Sequence, residues 1–198
     1  MDFKLAIKEY YGRLINTIEN LNAEELNTAM NVIYDTYQNE GTIYICGNGG
    51  SAATASHFAN DFNKGISEYT DKKFRFYCLN DNMATIMAIA NDKSYDDVFS
   101  FQLENKMTEK DLLILISGSG NSKNIVKALE YAKSKGFKTL GISGYSGGKL
   151  KELSDYHMHT EINDMQVTED VHMTFDHMMM KVFYNLLVKK IISGDNIL

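Results

Sequence analysis

The chain has 198 residues, 44% of them hydrophobic and 23% charged, with a formal net charge of −6. That length and balance fit one soluble globular domain with a substantial core. The acidic balance without a basic block argues against a nucleic-acid role, and no apolar run reaches the roughly 20 residues of a membrane span.

Helical periodicity dominates the first forty residues. Phe3, Ile7, Tyr10, Leu14, Ile18 and Leu21 recur at spacings of three and four, which puts them on one face. Asn22, with Glu25 three residues later, predicts a second helix start of the capping-box type. Leu26, Met30, Ile33 and Tyr37 form its stripe, and Gly41 ends it. Residues 1–40 thus read as a helical pair, free to pack on its own sheet or equally to form a bundle with another copy of the chain.

From there strand and helix alternate. Predicted strands are 42–46, 74–79, 111–116, 138–143 and 155–160. Predicted helices are 51–62, 82–91, 95–106, 122–135, 147–153 and 166–193. Strands 42–46 and 111–116 are continuously apolar, as strands buried on both faces are. The alternation predicts an α/β fold, a parallel five-stranded sheet with helices on both faces, within a single domain over 1–198. Cys46 and Cys78 fall in buried strands, where reduced thiols pack well. A disulfide is not expected, and with no signal-peptide layout at the N-terminus the location reads as cytoplasmic. The eleven methionines read as core filler.

Two Gly/Ser loops carry the chemistry. Cys46-Gly47-Asn48-Gly49-Gly50-Ser51 and Ser117-Gly118-Ser119-Gly120-Asn121-Ser122 each follow an apolar strand and precede a helix. Glycines allow close approach and positive φ, and free N–H groups at a helix start favour an anion. Both loops lie at the carboxyl ends of strands, where such sheets bind ligands. No Lys-Ser or Lys-Thr follows the first loop, and its glycine spacing is wrong for a dinucleotide, so no nucleotide is expected. A phosphorylated small molecule held from two sides fits better.

Acid–base candidates cluster in two places. His57 and Asp61 are four apart on the helix that opens at Ser51 and share a face. A surface ion pair is the plainer reading of that spacing. Glu169, Asp170, His172, Asp176 and His177 crowd the start of the last helix, too many ionisable groups for an ordinary amphipathic helix. His177 and Asp170 lie on nearly one face, whereas His177 and Glu169 diverge by roughly 80°. His157 and His159 alternate in a strand and read as structural or exposed.

These residues together resemble the sugar isomerase (SIS) superfamily and, within it, the phosphoheptose isomerases. The resemblance rests on Gly47–Ser51, His57–Ala59, Asn91-Asp92, Ser117–Ser122, Ser143–Gly148, Val171-His172 and His177, and it spans nearly the whole chain. It implies a flavodoxin-like three-layer αβα sandwich. It implies aldose–ketose isomerisation of sedoheptulose 7-phosphate to D-glycero-D-manno-heptose 7-phosphate through an enediol. It also implies a homotetramer with shared active sites. The substrate-binding positions it implies are Asn48, Gly49, Gly50, Ser51, Asn91, Asp92, Ser117, Gly118, Ser119, Ser122 and Glu169. Asp61 and His177 are the implied catalytic pair, with Asp61 as base and His177 as acid or the reverse. Some members hold zinc, and the matching ligand set is His57, Asp61, Glu169 and His177.

Departures from the pattern fall around the chemistry and the sugar end. Asp61 replaces a glutamate, Glu169 a glutamine, Gln166 an aspartate, Gly118 a threonine and Gly65 an arginine. Two imidazoles and two carboxylates make a zinc set. Without metal, Asp61 and Glu169 held close would repel, and one would take up a proton. The changes keep open an isomerase of another phosphosugar. A non-catalytic phosphosugar-binding adaptor on the same scaffold is the other reading.

Overall fold

A computed structural model describes residues 1–190. Two N-terminal helices, α1 (Lys4–Glu19) and α2 (Ala23–Gln38), precede β1 (Ile43–Gly47). Then follow α3 (Gly50–Asn60), β2 (Phe76–Cys78), α4 (Met83–Asp92), a short α5 (Ser100–Leu103), β3 (Leu112–Ser117) and α6 (Lys123–Ser134). The chain continues through β4 (Lys138–Ser143), α7 (Gly148–Leu153), β5 (Tyr156–His159) and α8 (Met165–Tyr184). The sheet is parallel throughout, in the order β2-β1-β3-β4-β5. The expected α/β sandwich is therefore the fold.

The order reverses between β1 and β3, which opens a crevice at their carboxyl ends. Both Gly/Ser loops flank it. Every residue of β1 and β3 is buried, as their continuous apolar runs predict. Alternate side chains feed two cores. Ile43, Ile45, Ile114 and Ile116 pack under α2, α3 and α8 with Phe58, Phe62 and Phe175. Tyr44, Cys46, Leu113 and Leu115 pack on the opposite face with Phe99, Leu103, Ile125 and Leu129. Cys78 lies in the first core and Cys46 in the second, so both thiols are free and face away from each other.

Several elements depart from the pattern. The helix expected over 95–106 is a 3₁₀ turn, Tyr95–Asp97, followed by the single turn of α5. Ser94 caps the 3₁₀ turn through Asp96 N–H, and the buried Gln102 amide donates to the Leu79 and Val98 carbonyls. Those local bonds outcompete a continuous helix. The helix from Gly50 runs on as a π-helical segment, Asp61–Ile66, that starts at Asp61. The last helix ends as α8 plus a π-helical turn, Asn185–Lys189, and residues 191–193 of the predicted helix lie outside the described residues. Asn22 caps α2 by accepting from Glu24 and Glu25 N–H. The Glu25 carboxylate does not close the box; it accepts His159 N–H at 2.8 Å and ties α2 to β5. Along α1, Tyr10 and Leu14 pack against the core, while Phe3, Ile7 and Ile18 remain exposed.

Candidate active site

The first loop turns at Gly49, whose φ of +55° suits glycine, and α3 starts at Gly50 without a side-chain cap. In the second loop Ser122 opens α6 without capping it, and its hydroxyl instead meets Ser117 Oγ at 3.3 Å. Both helix starts thus keep first-turn N–H groups for an anion. Ser51 and Ser117 are buried at this edge, and Ser119 Oγ accepts Asn121 N–H. Gly120, at φ +66°, lies where a Cβ would strike the Gly147 carbonyl at 1.9 Å, so that turn demands glycine. Asn48 braces the two loops: it exchanges side-chain hydrogen bonds with Asn124 at 2.8 and 2.9 Å and accepts from Tyr95 Oη. Asn91 and Asp92 end α4, exposed, with Asn91 donating to Asp92; neither bonds to the loops among the described residues.

Two turns into α3, His57 meets a second cluster. His57 Nε2 lies 3.2 Å from His177 Nε2, 3.5 Å from Asp61 Oδ2 and 3.8 Å from Asp176 Oδ2. One ligating atom from each of these residues falls within 4.8 Å of the others, a geometry that fits a metal ion. The side chain of Asp61 is mostly shielded, His57 is 42% exposed, and Asp176 is fully buried. Neither Asp176 oxygen has a hydrogen-bond partner. Burial, and then the Asp61 charge, push its carboxyl up to about 8. The repelling carboxylate pair expected as Asp61 and Glu169 is therefore Asp61 and Asp176.

Glu169 lies elsewhere. A Cβ on Gly50 would stand 2.5 Å from both its carboxylate oxygens, so glycine at the helix start makes room for it. The pairings Gly50 with Glu169 and His57 with His177 step along both helices in one direction, so α3 and α8 run parallel. Glu169 and His177 are then separated by about 12 Å of helix rise. Glu169 joins the anion end, where the α3 dipole favours its charge, and Asp176 stands beside His57 instead.

Other members of the crowded α8 segment serve structure. Asp170 accepts from Tyr10 Oη at 2.5 Å, and Asp164, the α8 cap, pairs with Arg13 at 2.8 Å, so α1 is tethered to this helix. His172 is buried, and that burial holds its imidazole down to about 4. His159 is buried and its Nδ1 lies 3.0 Å from Ser143 Oγ. Methionines fill two places where the sequence departs from the phosphoheptose isomerase pattern. A Cβ at Gly118 would meet Met165 Sδ at 2.7 Å, and one at Gly65 would meet Met180 Cε at 2.6 Å. Asn80, Tyr95 and Asn124 escape a sequence reading, since single polar residues carry no spacing signal. Asn80 holds Gly47 from both sides, accepting its N–H and donating to its carbonyl.

Residues 8–144 match the family model described as SIS domain. A phosphoheptose isomerase of Helicobacter pylori strain P12 is 39% identical over 175 residues, covering 88% of each chain. One from Aneurinibacillus thermoaerophilus is 35% identical, covering 87% of this chain and 89% of its own. Among solved structures, a phosphoheptose isomerase from Neisseria gonorrhoeae superposes with a TM-score of 0.84 at 24% identity, over 96% of this chain and all of that one. The chain belongs to the SIS domain family, on the branch of the phosphoheptose isomerases.

Proposed function

We propose that this chain interconverts sedoheptulose 7-phosphate and D-glycero-D-manno-heptose 7-phosphate. The observation that carries the reading is the distance between two chemically distinct ends on α3. Ser51 and His57 are separated by about 9 Å of helix rise. An extended chain covers roughly 1.2 Å per bond, so the eight bonds from C1 to phosphorus of a heptose 7-phosphate span about 10 Å. A triose phosphate, with half as many bonds, falls well short. The named activity of the relatives selects the heptose among the longer sugars.

The loops then hold the phosphate through Ser51, Ser117, Ser119, Ser122 and the free N–H groups at the starts of α3 and α6. Asp61 takes the proton from C1 of the ketose while His177 donates one to the C2 oxygen, giving the 1,2-enediol. Asp61 returns its proton to C2, and His177 recovers one from the C1 hydroxyl as the aldehyde forms. Asp61 Oδ1 accepts from the Asn60 amide, which fixes the carboxylate's orientation. Only one of the facing Nε2 atoms of His57 and His177 can carry a proton, so each imidazole sets the other's tautomer. The donor set around His57 would suit zinc, one ion per site, held by His57, Asp61 and His177. Such an ion would take the place of the proton between the two imidazoles and would polarise the sugar carbonyl.

The assembly in this reading is a homotetramer with shared sites, built on the 1–40 helical pair. The exposed apolar residues of α1 and the exposure of His177 support it. The compartment in this reading is the cytoplasm, supported by two free buried thiols. No described helix is long and apolar enough to cross a membrane. Sedoheptulose 7-phosphate followed by NMR, with and without added zinc, tests the activity. An aldoheptose 7-phosphate is the expected product. Phosphosugar binding with no conversion under either condition would leave a binding protein.

A further inference from the structure

We infer that Asp176, and not Glu169, supplies the second carboxylate to a divalent cation bound with His57, Asp61 and His177. The inference rests on the metal reading above and names its fourth ligand. Asp176 has no solvent exposure, and both of its oxygens lack a donor. A buried carboxyl without a partner is costly and calls for one. No lysine or arginine forms an ion pair with Asp61 or Asp176 among the described residues, and the basic side chain beside both acids is the His57 imidazole, itself a metal ligand type.

The spacing around His57 fits a metal. Zinc bonded to nitrogen and oxygen at about 2.0–2.2 Å in a tetrahedron sets neighbouring ligand atoms roughly 3.3–3.6 Å apart. The three separations from His57 Nε2 are 3.2, 3.5 and 3.8 Å, to His177, Asp61 and Asp176. They bracket that edge length before any ion draws the ligands together. Adjacent positions on α8 put Asp176 beneath His57, in the interior, and His177 at its solvent side. Two neutral imidazoles and two carboxylates offset a divalent charge, and this mixed nitrogen and oxygen set suits zinc. Within the chain, Glu169 stands two turns away against Gly50, at the anion end of the site.

The test compares wild type, Asp176→Asn, Asp176→Leu and Glu169→Leu, all stripped of metal and checked for folding by circular dichroism. Zinc affinity is measured by competition with a chromophoric chelator, and cobalt(II) is read by its visible ligand-field absorption. Wild type is expected to bind one zinc per chain. Both Asp176 variants are expected to lose roughly tenfold or more in zinc affinity and to change the cobalt spectrum, since even groups supporting a ligand cost that much. Glu169→Leu, which leaves no ligating atom at that position, is expected to stay within about threefold of wild type, on the same scale. Wild-type affinity and an unchanged cobalt spectrum in a folded Asp176 variant would overturn the assignment. So would loss of zinc in a folded Glu169→Leu, which decides the matter even where neither Asp176 variant folds. A wild type that binds no zinc or cobalt overturns the metal reading itself and this inference with it, while the isomerase reading is judged separately by turnover.

Discussion

At the scale of single residues, the proposed reaction rests on Asp61, at the junction where α3 widens into a π-helical turn. Such turns recur at functional sites because they re-aim a side chain. Here the widened turn buries Phe62 and Ile66 and leaves Asp61 facing His57. Asp61→Asn keeps the shape and removes the base. Turnover is expected to fall by roughly 10²–10⁴, the usual worth of a positioned acid or base. Affinity for the phosphosugar should change little, because the serines proposed to hold the phosphate lie at the opposite end of α3 from Asp61. Steady-state rates together with direct binding of sedoheptulose 7-phosphate separate the two effects, and full activity would remove Asp61 from the chemistry. The i, i+4 spacing of His57 and Asp61 made that pair legible in the chain. The serines were legible too, because strand, glycine turn and helix start leave a pattern in sequence. Asp176 was visible only as one of five crowded ionisable groups. Which of those face the site depends on α8 lying parallel to α3, a tertiary fact that spacing along one helix does not carry.

At the scale of elements, the strands and most helices followed from periodicity because a parallel sheet demands continuous apolar strands. The segment after α4 did not, because Ser94 and Gln102 satisfy backbone groups locally and break the helix. The buried flank of α8 has a consequence for stability that only its packing reveals. His172 is enclosed with both ring nitrogens unpartnered, and the neighbouring Ser143 carbonyl offsets only part of the burial that holds it down to about 4. An unfolded chain protonates this histidine near 6.5. Between those values the unfolded state binds the extra proton, so His172's contribution is full above about pH 6.5 and is lost as pH falls through 4. The lost stability is on the order of 3 kcal/mol. Metal-free Asp176 acts with opposite sign: its raised carboxyl keeps a proton that the unfolded chain has released, so its contribution falls as pH rises towards 8. The two slopes oppose each other between pH 4 and 6.5, and wild type alone will look nearly flat there. His172 is therefore read as the difference between wild type and His172→Leu in urea melts from pH 7 to pH 4. That difference should shrink towards acid pH, and a constant difference would sink the assignment.

At the scale of the whole molecule, α1 is held to the body by polar tethers while much of its apolar surface faces solvent. Tyr10 and Arg13 reach the start of α8 through Asp170 and Asp164. Ile7, Tyr11, Ile15 and Ile18, on one face of α1, are each 40% to 58% exposed. A monomer rarely leaves so continuous an apolar row to water, and such rows mark contact between chains. The site leans the same way, for His177 is exposed and His57 nearly half so. Enediol chemistry wants water kept out, and a neighbouring copy docked on α1 is the element at hand to do so. Because α1 is tied to α8 beside Glu169, a copy bound there also braces the helix that carries His177. Light scattering should then give a tetramer for wild type. Ile7→Glu with Ile15→Glu places two charges in the row without touching the tethers or either core. It should yield smaller species that retain α/β circular dichroism and lose most turnover. A double variant that keeps both the wild-type mass and full activity would remove α1 from the assembly. A smaller species that keeps full turnover would show instead that each site is complete within one chain.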